Sequence, residues 1–118
     1  MKSAAELFAD AKGRVAQVTA ADTIAQRAGD ASVVLIDVRE DREWNLGHAA
    51  GAVHMSRGTV ESKIDAAVPR DAVVVLYCAS GNRSALAAES LQVMGYTNVA
   101  SMTGGFRAWV DANGEIEG

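Results

Sequence analysis

The chain has 118 residues, 49% of them hydrophobic, a formal net charge of −4 and a pI near 5.0. That is the size of one ordinary domain with enough apolar material for a core, and the acidic balance argues against nucleic acid or an anionic membrane as partner. A single cysteine, Cys78, excludes an internal disulfide, a Cys-x-x-Cys redox pair and a multi-cysteine zinc site.

The start, Met1-Lys2-Ser3-Ala4-Ala5-Glu6, lacks the apolar stretch of a signal peptide. No run approaches the roughly 20 apolar residues of a membrane span. These features make a soluble protein of the reducing cytoplasm the expectation. Ser3 to Ala11 reads as a short helix with Leu7 and Phe8 as its apolar contacts and Gly13 at its end. Ala16 to Val18 reads as an edge strand. Thr19 is a plausible N-cap with Asp22 three residues on, for a helix to about Ala28 closed by Gly29.

Val33-Val34-Leu35-Ile36, ending in Asp37, is continuously apolar, as in strands buried on both faces of a parallel sheet. Arg39 to Asn45 reads as a helical turn. Gly47 to Gly51 reads as a loop, followed by a short strand at Val53-His54-Met55. Val60 to Ala67 reads as a helix that Pro69 prevents from continuing. Val73-Val74-Val75-Leu76-Tyr77 is the second fully apolar strand and delivers Cys78 to its end.

Asn82 to Met94 places Leu86, Ala87, Leu91 and Met94 near one helical face, with Gly95 as the stop. Asn98 to Ser101 is a further strand. Gly104-Gly105 opens a last helix that Gly114 ends. Strands alternating with helices at this spacing predict an α/β layer with a largely parallel sheet, in one domain over residues 1–118. Ligands of such sheets bind beyond the carboxyl ends of the strands, where Asp37 and Cys78 both lie.

Cys78 is followed by Ala79, Ser80, Gly81, Asn82, Arg83 and Ser84. A thiol at a strand–loop–helix junction faces the backbone N–H groups of a helix N-terminus, which favour negative charge. Arg83 adds a permanent cation. Both features predict a lowered thiol pKa and a reactive thiolate. Gly81 can adopt backbone angles that turn the amides inward, and the Ser80 and Ser84 hydroxyls are further donors. Arg83 suits an oxyanion ligand, with a structural salt bridge as its alternative. Asp37 and Arg39 are candidate supporting residues: an ion pair between Arg39 and Glu43 is expected, and Asp37 is a candidate cap for the following turn.

His48 and His54 read as structural, because a thiolate needs no base and no further metal ligand stands at motif spacing. Trp44 and Trp109 read as packing residues, and Arg57 and Arg107 as solvated. Gly104-Gly105 lacks the full dinucleotide fingerprint and reads as close packing at a helix start. Four residues separate Cys78 from Arg83, one fewer than in the Cys-x5-Arg loop of cysteine phosphatases. The smaller ring of amides fits a lone sulfur better than a tetrahedral phosphate.

Taken in order, Asp37-Val38-Arg39 with Glu43-Trp44, the segment Gly47 to His54, the loop Cys78 to Ser84 and Gly104 to Trp109 resemble the motifs of a single-domain rhodanese. The resemblance covers about Val15 to Trp109. It implies a three-layer domain around a largely parallel five-stranded sheet. It also implies a sulfurtransferase that needs neither metal nor cofactor and carries sulfur as a Cys78 persulfide. The implied donor is thiosulfate, a small anion, or a persulfide. The implied acceptor is cyanide or a thiol, with a sulfur-relay protein as alternative partner. Two positions depart from the family pattern: Ser56 replaces a usual proline, and Ala79 replaces a frequent arginine, which leaves the loop with Arg83 as its one cation.

Overall fold

A computed structural model describes residues 1–118. Helix α1 (Ala4–Arg14) is closed at its start by a capping box, with Ser3 accepting from the Glu6 N–H and Glu6 accepting from the Ser3 N–H. It runs through Gly13, three residues beyond the predicted end, and leaves Leu7 exposed while Ala11 is buried. Strand β1 (Ala16–Val18) leads into α2 (Ala20–Gly29), whose first turn Thr19 caps by accepting from the Asp22 N–H at 3.0 Å. Strand β2 (Val34–Asp37), the short helix α3 (Asp41–Asn45), β3 (His48–Ala49) and β4 (Val53–His54) follow.

Helix α4 (Val60–Ala67) matches its predicted span. Then come β5 (Val74–Tyr77), α5 (Asn82–Val93), β6 (Val99–Met102), α6 (Gly105–Asp111) and β7 (Ile116–Glu117). The segment expected to be a plain loop at Gly47–Gly51 contains β3, which pairs antiparallel with β7. Neither two-residue element carries a hydrophobic period, so periodicity could not reveal them.

The main sheet has five strands, all parallel, in the order β1-β6-β5-β2-β4. Alternation along its central strands divides the core in two. Ile36, Val74, Leu76 and Cys78 pack under α1, α4 and α5 with Ala11, Ile64, Ala88 and Leu91. Leu35, Val75 and Tyr77 point the other way, toward Ala20 of α2 and Trp109 of α6. Each fully buried Leu or Ile contributes roughly 1.5–3 kcal/mol relative to exposure. Because both faces are covered, β2 and β5 read as unbroken apolar runs. The chain leaves β2 toward β4 on one side and leaves β5 toward β6 and β1 on the other. The carboxyl ends of β2 and β5 therefore flank the topological switch point. No helix is long and apolar enough to cross a membrane.

One close approach fixes the entry to α6. Gly105 has φ +57°, and a Cβ there would lie 2.3 Å from the Cys78 carbonyl oxygen and 2.7 Å from the Ala79 carbonyl carbon. Without a side chain at Gly105, the Phe106 N–H reaches the Cys78 carbonyl at 2.7 Å. Gly105→Ala combines left-handed strain with a backbone collision, each costing roughly 1–3 kcal/mol. Differential scanning calorimetry should show the melting temperature falling by about 10 °C or more; a shift of a degree or two would mean that α6 can back away from the loop.

Candidate active site

Cys78 is one residue past β5 and only 1% exposed. The residues after it turn sharply through Gly81, at φ +104°, and enter α5. A side chain with a Cβ is strained at such a φ. The turn aims donors at the sulfur. The Gly81 N–H donates to Sγ at 3.0 Å and the Ser84 N–H at 3.4 Å, and the Ser84 hydroxyl lies 3.5 Å away. Burial pushes the thiol pKa up, but the Ser84 hydroxyl and the backbone N–H groups of Ser84, Ser80 and Gly81 outweigh it. The net direction is below the ordinary cysteine value.

Ser84 is fully buried, and its hydroxyl also meets the Ser101 hydroxyl on β6 at 2.8 Å. Ser101 completes a hydroxyl chain that ends on the sulfur, and no sequence motif pointed to it. The Ser80 side chain is exposed, so this residue serves the sulfur through its backbone. Ala79 and Asn82 are half-buried parts of the loop.

Arg83 takes the alternative expected for it, a salt bridge, while its charge still couples to the Cys78 thiolate. Its guanidinium is held by Glu43 of α3 in a two-pronged pair, Nη1 to Oε1 at 2.8 Å and Nη2 to Oε2 at 3.1 Å. The loop therefore stabilises the thiolate with dipoles, and its one cation is matched by a carboxylate. The same arrangement corrects the expected Arg39–Glu43 ion pair. Arg39 turns back toward the sheet instead, onto Asp37: Nε lies 3.0 Å from Oδ2, and Nη2 lies 2.8 Å from Oδ2.

Asp37 is completely buried. Its Oδ1 accepts from the Arg39 N–H at 2.8 Å, the turn cap anticipated for it. Its Oδ2 accepts from the Tyr77 hydroxyl at 2.5 Å, and that hydroxyl in turn accepts from the Ala49 N–H at 3.0 Å. Burial, followed by the hydrogen bond to Asp37, raises the Tyr77 pKa well above the usual tyrosine value. Arg39 donates to the Gly47 carbonyl at 2.7 Å and lies 4.3 Å over the Phe106 ring. Asp37 and Arg39 thus position the walls of the site and do not touch the sulfur.

Trp44 stacks with two imidazoles, His48 at 3.4 Å and His54 at 4.9 Å between ring centroids. His48 Nδ1 is 3.1 Å from the Trp44 carbonyl and His54 Nε2 is 2.8 Å from the Arg39 carbonyl, so both histidines bond to backbone. Trp109, on the buried side of α6, donates to the Glu115 carbonyl at 2.8 Å. Arg57, expected to be solvated, pairs with Glu61 at 2.8 Å, whereas Arg107 is exposed.

The rhodanese-like domain family model matches residues 20–112. The thiosulfate sulfurtransferase GlpE of Pseudomonas fluorescens is 34% identical over 85 residues, which cover 72% of this chain and 77% of that protein. The putative sulfur carrier protein YrkF of Bacillus subtilis is 34% identical over 80 residues, 68% of this chain, and the match spans only 43% of that protein's length. Among solved structures, a Rhodopseudomonas palustris protein of unknown function, described as a possible tyrosine phosphatase, superposes with a TM-score of 0.88 at 38% identity. That alignment covers 99% of this chain and 96% of the other. A parallel five-stranded sheet, a cysteine loop at its switch point and this span of matched sequence lead to one assignment: the chain belongs to the rhodanese-like domain family.

Proposed function

We propose that the protein moves a sulfane sulfur from thiosulfate or a persulfide to a thiol or cyanide, with Cys78 as carrier. The supporting observation is the convergence of the Gly81 N–H, the Ser84 N–H and the Ser84 hydroxyl on one sulfur. Such a ring stabilises a thiolate and equally a persulfide anion on the same residue. The Cys78 thiolate attacks the outer sulfur of thiosulfate. A sulfur–sulfur bond forms to Cys78, the bond to the sulfonate breaks, and sulfite leaves with its electron pair. The acceptor then attacks the outer sulfur of the Cys78 persulfide. Thiocyanate or a new persulfide departs and the thiolate is restored, so the cycle is ping-pong. The 118 residues act as one domain, and a lone reactive thiol suits a reducing cytoplasm.

A relay role, in which a protein partner delivers the sulfur, is supported by the similarity to a putative sulfur carrier protein. Phosphate chemistry has the likeness to the possible tyrosine phosphatase in its favour and the short loop against it.

Incubating the protein with thiosulfate and measuring its intact mass should show the gain of one sulfur, absent in Cys78→Ser. No gain from thiosulfate or from an organic persulfide, or an equal gain in Cys78→Ser, would overturn the proposal, and aryl phosphate turnover lost in Cys78→Ser would favour the phosphatase reading. Ser84→Ala removes one donor to the sulfur and leaves the Ser101 hydroxyl without its partner. The thiol pKa, read from the pH profile of iodoacetamide alkylation, should move upward. Alkylation at neutral pH should then slow, because less thiolate is present there. Stability should fall by about 1–3 kcal/mol for the stranded hydroxyl. An unmoved profile would show that the backbone N–H groups alone set the thiol.

A further inference from the structure

The pair between Glu43 and Arg83 is anchored from both sides. Arg83 is the second residue of α5 and belongs to the cysteine loop. Glu43 belongs to α3, and its Oε1 also accepts the Glu40 N–H at 3.0 Å, the capping box that starts that helix. Both side chains are about two-thirds covered. The hydrogen bond from Arg83 is the main reason the Glu43 carboxyl is held down at about 2, so Glu43 is charged throughout the neutral range. Glu40 lies close enough to add a second, weaker negative field at Arg83. Arg83, Glu43 and Glu40 together carry a net charge of −1 beside the sulfur. The other nearby guanidinium, Arg39, is spent on Asp37 and the Gly47 carbonyl. Position 79 contributes no charge, and Arg107 of α6 is exposed to solvent, where its field is screened.

The two donor classes place different demands on these charges. Thiosulfate arrives as a dianion, and its leaving group, sulfite, departs with two negative charges. A free guanidinium would hold that oxyanion at both stages. An organic persulfide brings no oxyanion. The Cys78 thiolate attacks its outer sulfur, the sulfur–sulfur bond to the organic thiol breaks, and the departing thiolate takes up the proton of the persulfide.

We propose that Glu43 is the specificity-determining residue of this site: by occupying Arg83 it withdraws the one cation a dianionic donor needs and sets the loop to take sulfur from thiol-borne persulfides, which carry no oxyanion, in preference to thiosulfate. This inference rests on the sulfurtransferase reading above. It makes Glu43 a brake on one class of donor, acting through Arg83 and without touching the sulfur.

The test compares two donors, thiosulfate and the persulfide of 2-mercaptoethanol, which carries no charge beyond its sulfur. Persulfide formation on Cys78 is followed by intact mass, and steady-state rates use cyanide as acceptor. In Glu43→Gln, kcat/KM for thiosulfate should rise about tenfold relative to that for the persulfide, the worth of one hydrogen bond to a charged group. The rise should appear chiefly in KM and shrink as salt is added. The double variant Glu43→Gln with Arg83→Gln should lose the gain. Glu43→Asp, which keeps the charge and shortens its reach, should fall between, and it serves as the test variant if Glu43→Gln does not fold. Equal losses with both donors, an unchanged ratio, or a gain that survives in the double variant would each overturn the role of Glu43. Loading of wild-type Cys78 by the persulfide upholds the sulfurtransferase reading whatever Glu43 does. Failure of both donors to load the wild type would overturn that reading and this inference with it.

Discussion

The buried carboxylate of Asp37 is the constraint on which the rim of this protein depends. A charge with no solvent access has to be fully satisfied by protein groups. Asp37 meets that requirement with the Arg39 guanidinium, the Arg39 N–H and the Tyr77 hydroxyl. Each of those groups then has a second task. Tyr77 binds the Ala49 N–H and stands one residue before Cys78, and Arg39 binds Gly47 and covers Phe106. One carboxylate thereby links the ends of β2 and β5, the β3 segment and the start of α6. Breaking such a pair from one side leaves an uncompensated buried charge, at a cost of about 3–5 kcal/mol. That penalty holds the walls of the cysteine loop in one arrangement.

Within those walls, two opposing effects meet on the sulfur. Burial disfavours a thiolate, and an almost fully covered cysteine would ordinarily be inert. Backbone N–H groups and the Ser84 hydroxyl reverse the balance without adding a mobile charge. The economy of this arrangement is that dipoles fixed by the fold need no reorganisation when a negative charge forms on the sulfur. The cation nearest the loop is answered by a carboxylate from a different helix, so the sulfur faces no uncompensated positive charge. Long-range attraction of an anion therefore contributes little.

Much of this was legible in the sequence. The two unbroken apolar runs before Asp37 and Cys78 announced strands buried on both faces. The glycines after Cys78 and before Phe106 marked positions where backbone must turn sharply or approach closely. The pairing of charges was not legible. Arg39 and Glu43 are one helical turn apart, the separation at which ion pairs form on a helix. Yet α3 begins only at Asp41, so Arg39 lies outside it and is free to fold back onto Asp37. Glu43 then meets a residue forty positions away, a contact that only the sheet order creates. Ser101 escaped notice for the same reason: it looks like any polar residue in a strand until β6 is laid beside β5.

The order of the strands also governs when the site can exist during synthesis and folding. β6 lies between β1 and β5, so the first strand made has no neighbour in the sheet until the last one has joined it. Every pairing in the sheet is parallel and so spans a crossover, which makes assembly dependent on distant segments and slow to nucleate. The hydroxyl chain from Ser101 through Ser84 to the sulfur closes only when β6 inserts. A partly emerged chain would therefore lack the Ser101 hydroxyl behind Ser84, and the outermost support of the Cys78 loop would arrive in the same step that seals the sheet.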